Sequence, residues 1–314
     1  MKVVFMGTPE FAVPSLKKLI EEKYNIIAVV TQPDRPKGRG KKTLPPPVKQ
    51  LALEENIPVF QPERVKDSEF IETMKSLSPD LIIVIAFGQI LPKEILDMPR
   101  FGCINVHGSL LPKYRGAAPI QWSVINGEEV TGVTTMFMDE GMDTGDMLLK
   151  GETPISKEDT SGDLHDKMSI VGAEVLKDTL DQLIRGNLKR EKQNSSEATY
   201  APMLKKEMGL INWNEPSNKI VNLIRGLSPW PSAYTFYKEF MLKVWKAQNY
   251  NKTYENALPG EIVEIIKDKG LIVKTGDGSL LITEIQVPNG KRMAVREYLR
   301  GHDMDKNTIL GTKF

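Results

Sequence analysis

The sequence predicts an α/β protein in two parts: a doubly wound, mainly parallel sheet and, after it, a small antiparallel β-barrel. Three observations carry this reading. Short apolar runs rich in Val and Ile at 2–6, 26–31, 81–86 and 103–106 alternate with helix-competent stretches, the pattern of parallel strands buried on both faces by crossover helices. From Gly186 to about Ala201 apolar periodicity vanishes among Lys, Glu, Gln, Asn and Ser, as in a linker. Beyond it come closely spaced short strands and turns, the signature of a barrel. A chain of 314 residues exceeds what one core usually spans, so two domains are expected. The boundaries are set at 1–189 for the first domain, 190–204 for the linker and 205–314 for the barrel.

The elements follow in order. Strand 2–6 leads into a helix over Pro9–Glu22, whose apolar positions Phe11, Val13, Leu16, Leu19 and Ile20 fall on one face. Val48–Glu55 and Phe70–Leu77 are amphipathic in the same way and cover the sheet. Residues 130–138 and 146–155 read as strands around a polar turn, Asp139 to Gly145, and Thr160 or Ser161 can cap a long helix to about Ile184. In the second part a helix, Asn218–Leu227, precedes strands at 233–237 and 241–247. A meander follows through Gly260–Ile266, Gly270–Lys274 and Ser279–Val287, with Asp277-Gly278 as a hairpin turn. The loop Gln32–Pro47 places Arg35, Lys37, Arg39, Lys41 and Lys42 among Gly and Pro with one acid, Asp34. It is expected to be exposed and mobile.

Composition excludes several classes. With 40% hydrophobic and 26% charged residues, long disorder is not expected. No apolar run approaches a membrane span, and Met1-Lys2 leads directly into a strand pattern with neither signal core nor transit peptide, so a cytoplasmic location is expected. The single cysteine, Cys103, rules out an intrachain disulfide and a multi-cysteine zinc site. The net charge of +1 conceals an asymmetry, roughly −4 before Lys205 and roughly +5 from it onward. This suits a polyanionic partner for the second part, or ordinary surface variation.

The most informative segment is Gly102-Cys103-Ile104-Asn105-Val106-His107-Gly108-Ser109-Leu110-Leu111-Pro112, a strand running into a turn with polar groups where a buried strand should be apolar. Side chains at i and i+2 share a face about 6.6 Å apart along a strand, so Asn105 and His107 can converge on one small group. Open α/β sheets bind ligands at that carboxyl edge. The structural alternatives are Asn105 capping a backbone amide and His107 as a satisfied core histidine. Cys103 lies on the same face, but about 13 Å from His107 along a strand, too far to be activated by the imidazole; it reads as a small buried hydrophobe. A second polar cluster, Asp139-Glu140-Gly141-Met142-Asp143-Thr144-Gly145-Asp146, can hold a carboxylate in a specific pose. It lacks the spacing and closing Glu of a calcium loop. Gly7-Thr8-Pro9-Glu10-Phe11 lacks the dinucleotide fingerprint.

Asn105-x-His107, then Ser109-Leu110-Leu111-Pro112-x-x-Arg115-Gly116-Ala117-Ala118-Pro119, with Asp143-Thr144-Gly145-Asp146 downstream, resembles the folate-dependent formyltransferase family. That resemblance implies an Asn, His and Asp catalytic set, here Asn105, His107 and Asp143, on a Rossmann-like domain, with 10-formyltetrahydrofolate as formyl donor and no metal. Thr31-Gln32-Pro33-Asp34-Arg35-Pro36, the Gly38–Lys42 loop and the OB-like barrel are similar to the members that formylate methionine esterified to initiator tRNA. The implied roles suit the chemistry: Asn105 donates to the tetrahedral oxyanion, and His107 stabilises the same charge and supplies a proton. Asp143 either pairs with His107 or accepts the amine's proton. Ser109, Leu110, Leu111 and Pro112 match the folate-contacting stretch, with Gln89 as a candidate for the pterin end; Arg39, Lys41 and Lys42 are the tRNA candidates. A monomer is expected. The rivals are a formyltransferase acting on another amine such as a sugar nucleotide, a formyltetrahydrofolate hydrolase, and a tRNA-binding protein with an inactive first domain.

Overall fold

The computed structural model describes residues 1–37 and 42–311. The chain forms two compact units, one made of Met1–Pro119, Val130–Pro154 and His165–Ala201, the other of Ile120–Glu129, Ile155–Leu164 and Pro202–Phe314.

Chain order to the end of the first unit is β1 (Lys2–Gly7), α1 (Val13–Glu21), β2 (Asn25–Val30), β3 (Arg35–Lys37), β4 (Lys42–Leu44), α2 (Pro47–Glu54), β5 (Val59–Phe60), α3 (Ser68–Leu77), β6 (Leu81–Ile85), α4 (Lys93–Leu96), β7 (Cys103–His107), β8 (Arg115–Gly116), α5 (Pro119–Ile125), β9 (Val130–Phe137), β10 (Met147–Pro154), α6 (Ser161–Ile184) and β11 (Tyr200–Ala201). Seven strands make one sheet in the order β10-β9-β7-β6-β1-β2-β5. From β5 to β7 neighbours are parallel, whereas β9 and β10 join antiparallel. The architecture is the Rossmann-like one expected from the alternating apolar runs. The strands between the edges are buried on both faces, with Val4, Met6, Ala28, Val30, Ile82 and Val84 packed against Phe70 and Met74 of α3 and Ile95 of α4.

The chain winds from β1 to β2 and β5 on one side, then returns to β6 and β7 on the other. This reversal falls at the carboxyl ends of β1 and β6, where such sheets usually bind ligands. Side chains tie the strand ends together there: the Thr8 hydroxyl and the Gln32 amide both donate to the Phe87 carbonyl, each at 3.2 Å.

Two polar segments are more ordered than their composition suggests. The basic loop contains an antiparallel hairpin, β3 with β4; its tip, Gly38 to Lys41, lies outside the described residues. The stretch after α6 is tied to the first unit: Glu191 and Met147 exchange both backbone hydrogen bonds, and β11 pairs in parallel with β8. Hydrogen bonds from backbone and polar side chains hold it, and these leave no apolar period to read.

The second unit contains α7 (Ser217–Gly226), β12 (Ala233–Tyr237), β13 (Phe240–Tyr250), β14 (Ile262–Ile266), β15 (Gly270–Lys274), β16 (Ser279–Gln286), β17 (Met293–Ala294) and α8 (Val295–Tyr298). The sheet runs β12-β13-β16-β15-β14, antiparallel throughout, with β17 added to β16. Residues 307–311 bridge its two edges. Ile262 N donates to Thr308 O and Leu310 N to Gly260 O on the β14 side, while Gly311 N donates to Phe236 O in β12. The sheet so closed encloses Leu242, Val244, Ile262, Leu271, Val273, Leu280 and Ile282. Ser156 and Asp159 belong here because their carbonyls accept from Arg225 Nη1 of α7 at 2.9 and 3.0 Å.

Candidate active site

β7 delivers its polar residues to the carboxyl edge as a central strand. Asn105 pairs with Val84 of β6 on one side and Met136 of β9 on the other, so its backbone is committed to the sheet and only the side chain is available. Strand alternation puts Asn105 and His107 on one face. The Oδ1 of Asn105 is buried and has no hydrogen-bond partner among the described residues. Buried polar atoms are nearly always satisfied, so this unpartnered acceptor is an exception at the carboxyl edge.

His107 is 6% exposed. Its Nε2 lies 3.0 Å from the Tyr114 carbonyl oxygen; a carbonyl only accepts, so Nε2 carries the hydrogen. Nδ1 then faces Asp143, whose Oδ2 is 3.6 Å away. The same Oδ2 accepts a 2.8 Å bond from Gly116 N. Tyr114 to Gly116 thus anchors both the imidazole and the carboxylate. That segment is itself held: Tyr114 N donates to Thr199 Oγ1 and Arg115 N to Thr199 O, each at 2.9 Å. Gly116 has φ +118°, and a Cβ there would press on the Ala201 carbonyl, so the close approach of β11 requires glycine.

Asp143 occupies the turn between β9 and β10 with φ +54°, an αL pose that costs a non-glycine residue about 1–2 kcal/mol and persists where surroundings over-determine it. Asp139 helps shape this turn, its Oδ1 accepting from Gly141 N at 3.0 Å and Thr144 Oγ1 at 2.7 Å.

The other sequence-derived positions separate. Ser109 is fully buried, its hydroxyl donating to Lys113 O at 2.6 Å. Leu111 packs with Met136 and Met147 and its amide donates to Thr134 Oγ1 at 3.0 Å. Leu110 and Pro112 are half-buried. In this state Ser109 and Leu111 brace the turn, while Leu110 and Pro112 retain exposed surface. Gln89 is occupied too: its Oε1 accepts from Val65 N at 2.9 Å and its Nε2 donates to Pro62 O and Glu63 O. Around it the turn is open, with Ala86, Gly88 and Ile90 exposed, Ile90 to 85%. Arg39 and Lys41 lie outside the described residues, and only the backbone of Lys42 is described, as the start of β4.

Cys103 is buried, and burial pushes its thiol up to about 12, which suits the inert reading. Tyr114, Gln193 and Thr199 were not singled out from sequence: they act through backbone atoms or within a polar tract, and neither leaves a periodic or motif-like trace. Among the described residues no group of three or more His, Cys, Asp or Glu could hold a metal ion, and no helix is long and apolar enough to cross a membrane.

A central amide, a buried imidazole and a held carboxylate at one sheet edge suit acyl-type transfer: a donor for a developing oxyanion and groups that exchange a proton. A family model described as formyl transferase matches residues 1–180, and one described as formyl transferase, C-terminal domain, matches 203–303. The chain is 56% identical over 313 residues to the methionyl-tRNA formyltransferase of Ruminiclostridium cellulolyticum, covering 99% of this chain and 100% of that one. It is 57% identical over 311 residues to that of Clostridioides difficile, with the same coverage. Among solved structures, WlaRD, a sugar 3N-formyl transferase crystallised in the presence of dTDP and 5-N-formyl-THF, superposes with a TM-score of 0.69 at 22% identity, over 93% of this chain and 99% of that one. HypX from Aquifex aeolicus in complex with tetrahydrofolic acid does so with a TM-score of 0.61 at 17% identity, over 98% of this chain and 50% of that one. These two likenesses concern the fold. Two family models along the chain and full-length relatives above half identity lead to one conclusion: the chain belongs to the formyl transferase family.

Proposed function

We propose that the protein transfers the formyl group of 10-formyltetrahydrofolate to the α-amino group of methionine on initiator tRNA, supplying formylmethionyl-tRNA for the start of translation. The acceptor is carried by one observation, the near full-length identity above 50% to proteins named methionyl-tRNA formyltransferase. The sugar formyltransferases resemble this chain at only 22% identity and carry no acceptor across. On this reading the domains are a catalytic part over 1–189, a linker over 190–204 and a tRNA-binding barrel over 205–314, working as a monomer in the cytoplasm without a metal.

The amine lone pair forms the new C–N bond as the formyl π electrons move onto oxygen. Collapse of that oxyanion breaks the bond to the folate nitrogen, which takes up a proton while the amine loses one. Asn105 suits the developing oxyanion, to which its Nδ2 can donate. With Nε2 of His107 committed to the Tyr114 carbonyl, proton exchange runs on the Nδ1 side, where Asp143 stands. The 3.6 Å separation leaves room for tightening when substrate arrives, as in other sites without substrate. We place the folate along Leu110 and Pro112 and the open Ala86–Ile90 turn, with Ser109, Leu111 and Gln89 fixing those walls. Arg39, Lys41 and Lys42 are assigned to the acceptor arm of the tRNA.

The test is acceptor choice. Incubation with 10-formyltetrahydrofolate and charged initiator tRNA should yield formylmethionine, with amino sugars of nucleotides left unmodified and no formate released in the absence of tRNA. Formylation of the sugar nucleotide in preference to the tRNA would replace this reading with its rival.

A further inference from the structure

Gln193 lies in the polar tract after α6, where the sequence shows nothing to distinguish it. Its primary amide has two acceptor lone pairs and two donor hydrogens, and all four are used. Oε1 accepts from Arg115 Nε at 3.0 Å and from Arg115 Nη2 at 2.8 Å. Nε2 donates to the carbonyls of Asp143 and Gly145, both at 2.8 Å. The arginine is buried and sits next to Gly116, the residue that binds the Asp143 carboxylate. Asp143 is therefore gripped twice: its carboxylate by Gly116 N, its backbone carbonyl by Gln193.

Such a grip has a physical purpose. Asp143 sits at φ +54° between two glycines, Gly141 and Gly145, in a turn whose own backbone would relax to commoner conformations. Each donor hydrogen of Gln193 fixes one peptide of that turn, and the Arg115 fork fixes the amide plane. The anchor is in turn fastened by the Glu191–Met147 backbone pair and by Arg190, whose guanidinium lies 3.9 Å from the Phe137 ring centroid at the root of the same turn.

We propose that Gln193 is a positioning residue that holds Asp143 in its working pose opposite His107, without itself touching substrate. This rests on the reading of Asp143 as catalytic, and the two can fail separately. In the full chain, with 10-formyltetrahydrofolate and charged initiator tRNA, Gln193→Leu should lower kcat by about 10²-fold, the scale of a small misplacement of a reacting group, with KM for the folate little changed. Because loss of a buried arginine's partner can also weaken folding, Gln193→Glu is the decisive variant. Its carboxylate still pairs with Arg115 but has no hydrogen for the two carbonyls. It should keep a cooperative thermal transition above the assay temperature, lowered somewhat because the carboxylate oxygen faces two carbonyls, and still lose kcat about as severely as the leucine variant. Wild-type kcat in Gln193→Glu would reduce the residue to a partner for Arg115 and overturn the proposal. In the Asp143→Ala background, Gln193→Leu should add little further loss. A full additional 10²-fold there would overturn it as well. Full turnover by Asp143→Ala alone would instead remove the catalytic reading of Asp143, on which the proposal stands.

Discussion

Asn105 is the side chain whose loss should separate chemistry from binding most cleanly. It sits on a central strand whose backbone bonds do not depend on it, and the protein does not complete its hydrogen bonding. Asn105→Ala should lower kcat by about 10²–10³, the usual scale for one oxyanion donor, with folate affinity little altered. Steady-state kinetics on a variant of native circular dichroism would check this, and wild-type turnover would remove Asn105 from the mechanism. Cys103, on the same strand face, should be chemically silent. Burial raises its thiol from an ordinary 9.0 to about 12, so the thiolate that alkylating reagents need is scarce at neutral pH. Iodoacetamide at pH 8 should modify the native protein far more slowly than the denatured chain, and Cys103→Ala should keep full turnover. The raised thiol also has a pH signature. Its stabilisation is complete below pH 9.0 and is lost as pH climbs toward 12, because the unfolded chain gives up the proton first. Stability of Cys103→Ala should fall less steeply over that window.

At the scale of elements, the β3–β4 hairpin combines a described root with a charged tip. Lys49 Nζ binds Asp34 at 2.7 Å, and Gln61 Nε2 donates to Asp34 Oδ1 at 2.7 Å and to Gln32 O at 2.9 Å. Those hydrogen bonds, Lys49 first, hold the Asp34 carboxyl below its ordinary 3.8. The anchor is accordingly intact at neutral pH and weakens only as pH falls through that lowered value. The described part of the hairpin follows the carboxyl end of β2, on the sheet edge that also carries Asn105 and His107. If Lys41 and Lys42 meet phosphates, their double alanine variant should bind tRNA more weakly. Its slope of log affinity against log salt should be shallower by roughly one unit per lost contact. Equal slopes, measured by filter binding across a salt series, would make these lysines solvent-facing decoration. If Arg39 stacks on or reads an unpaired end, Arg39→Lys should impair formylation nearly as much as Arg39→Ala, since a point charge cannot replace a planar fork.

Across the whole molecule, each unit is completed by chain remote in sequence. The first needs the tract from Gly186 to Ala201 to hold Tyr114–Gly116. The second needs residues 307–311 to close its barrel between β14 and β12. Removing everything after Asp305 should expose two strand edges, and open edges are prone to pairing with other chains. Hydrogen exchange should then lose protection at Leu310's partner strand, around Gly260–Ile262, and the truncated protein should aggregate on warming below the wild-type melting temperature. Unchanged protection at Ile262 would mean that the barrel stands without its closing segment. Protection in β1, β6 and β7 should persist, because the bonds removed all lie in the second unit.

The amino-acid sequence determined the two-part plan directly. Val- and Ile-rich runs are what strands buried on both faces must contain, and helical spacing is what covers them, so the parallel sheet and the strand-rich second part follow from local periodicity. Asn105 and His107 were legible for the same reason: two residues apart on a strand is a statement about one face. Asp143 stood out as an acid among turn-forming glycines. Only the tertiary structure decided that its carboxylate faces Nδ1 of His107, that Gly116 N and Gln193 grip it, and that Ser109 and Gln89 turn their polar atoms into the protein. It also decided that 120–129 and 155–164 cluster with the second unit. These outcomes depend on hydrogen bonds between polar side chains and distant backbone. Such bonds have direction but no period, and their partners are fixed only once the sheet has set which loops meet at its edge.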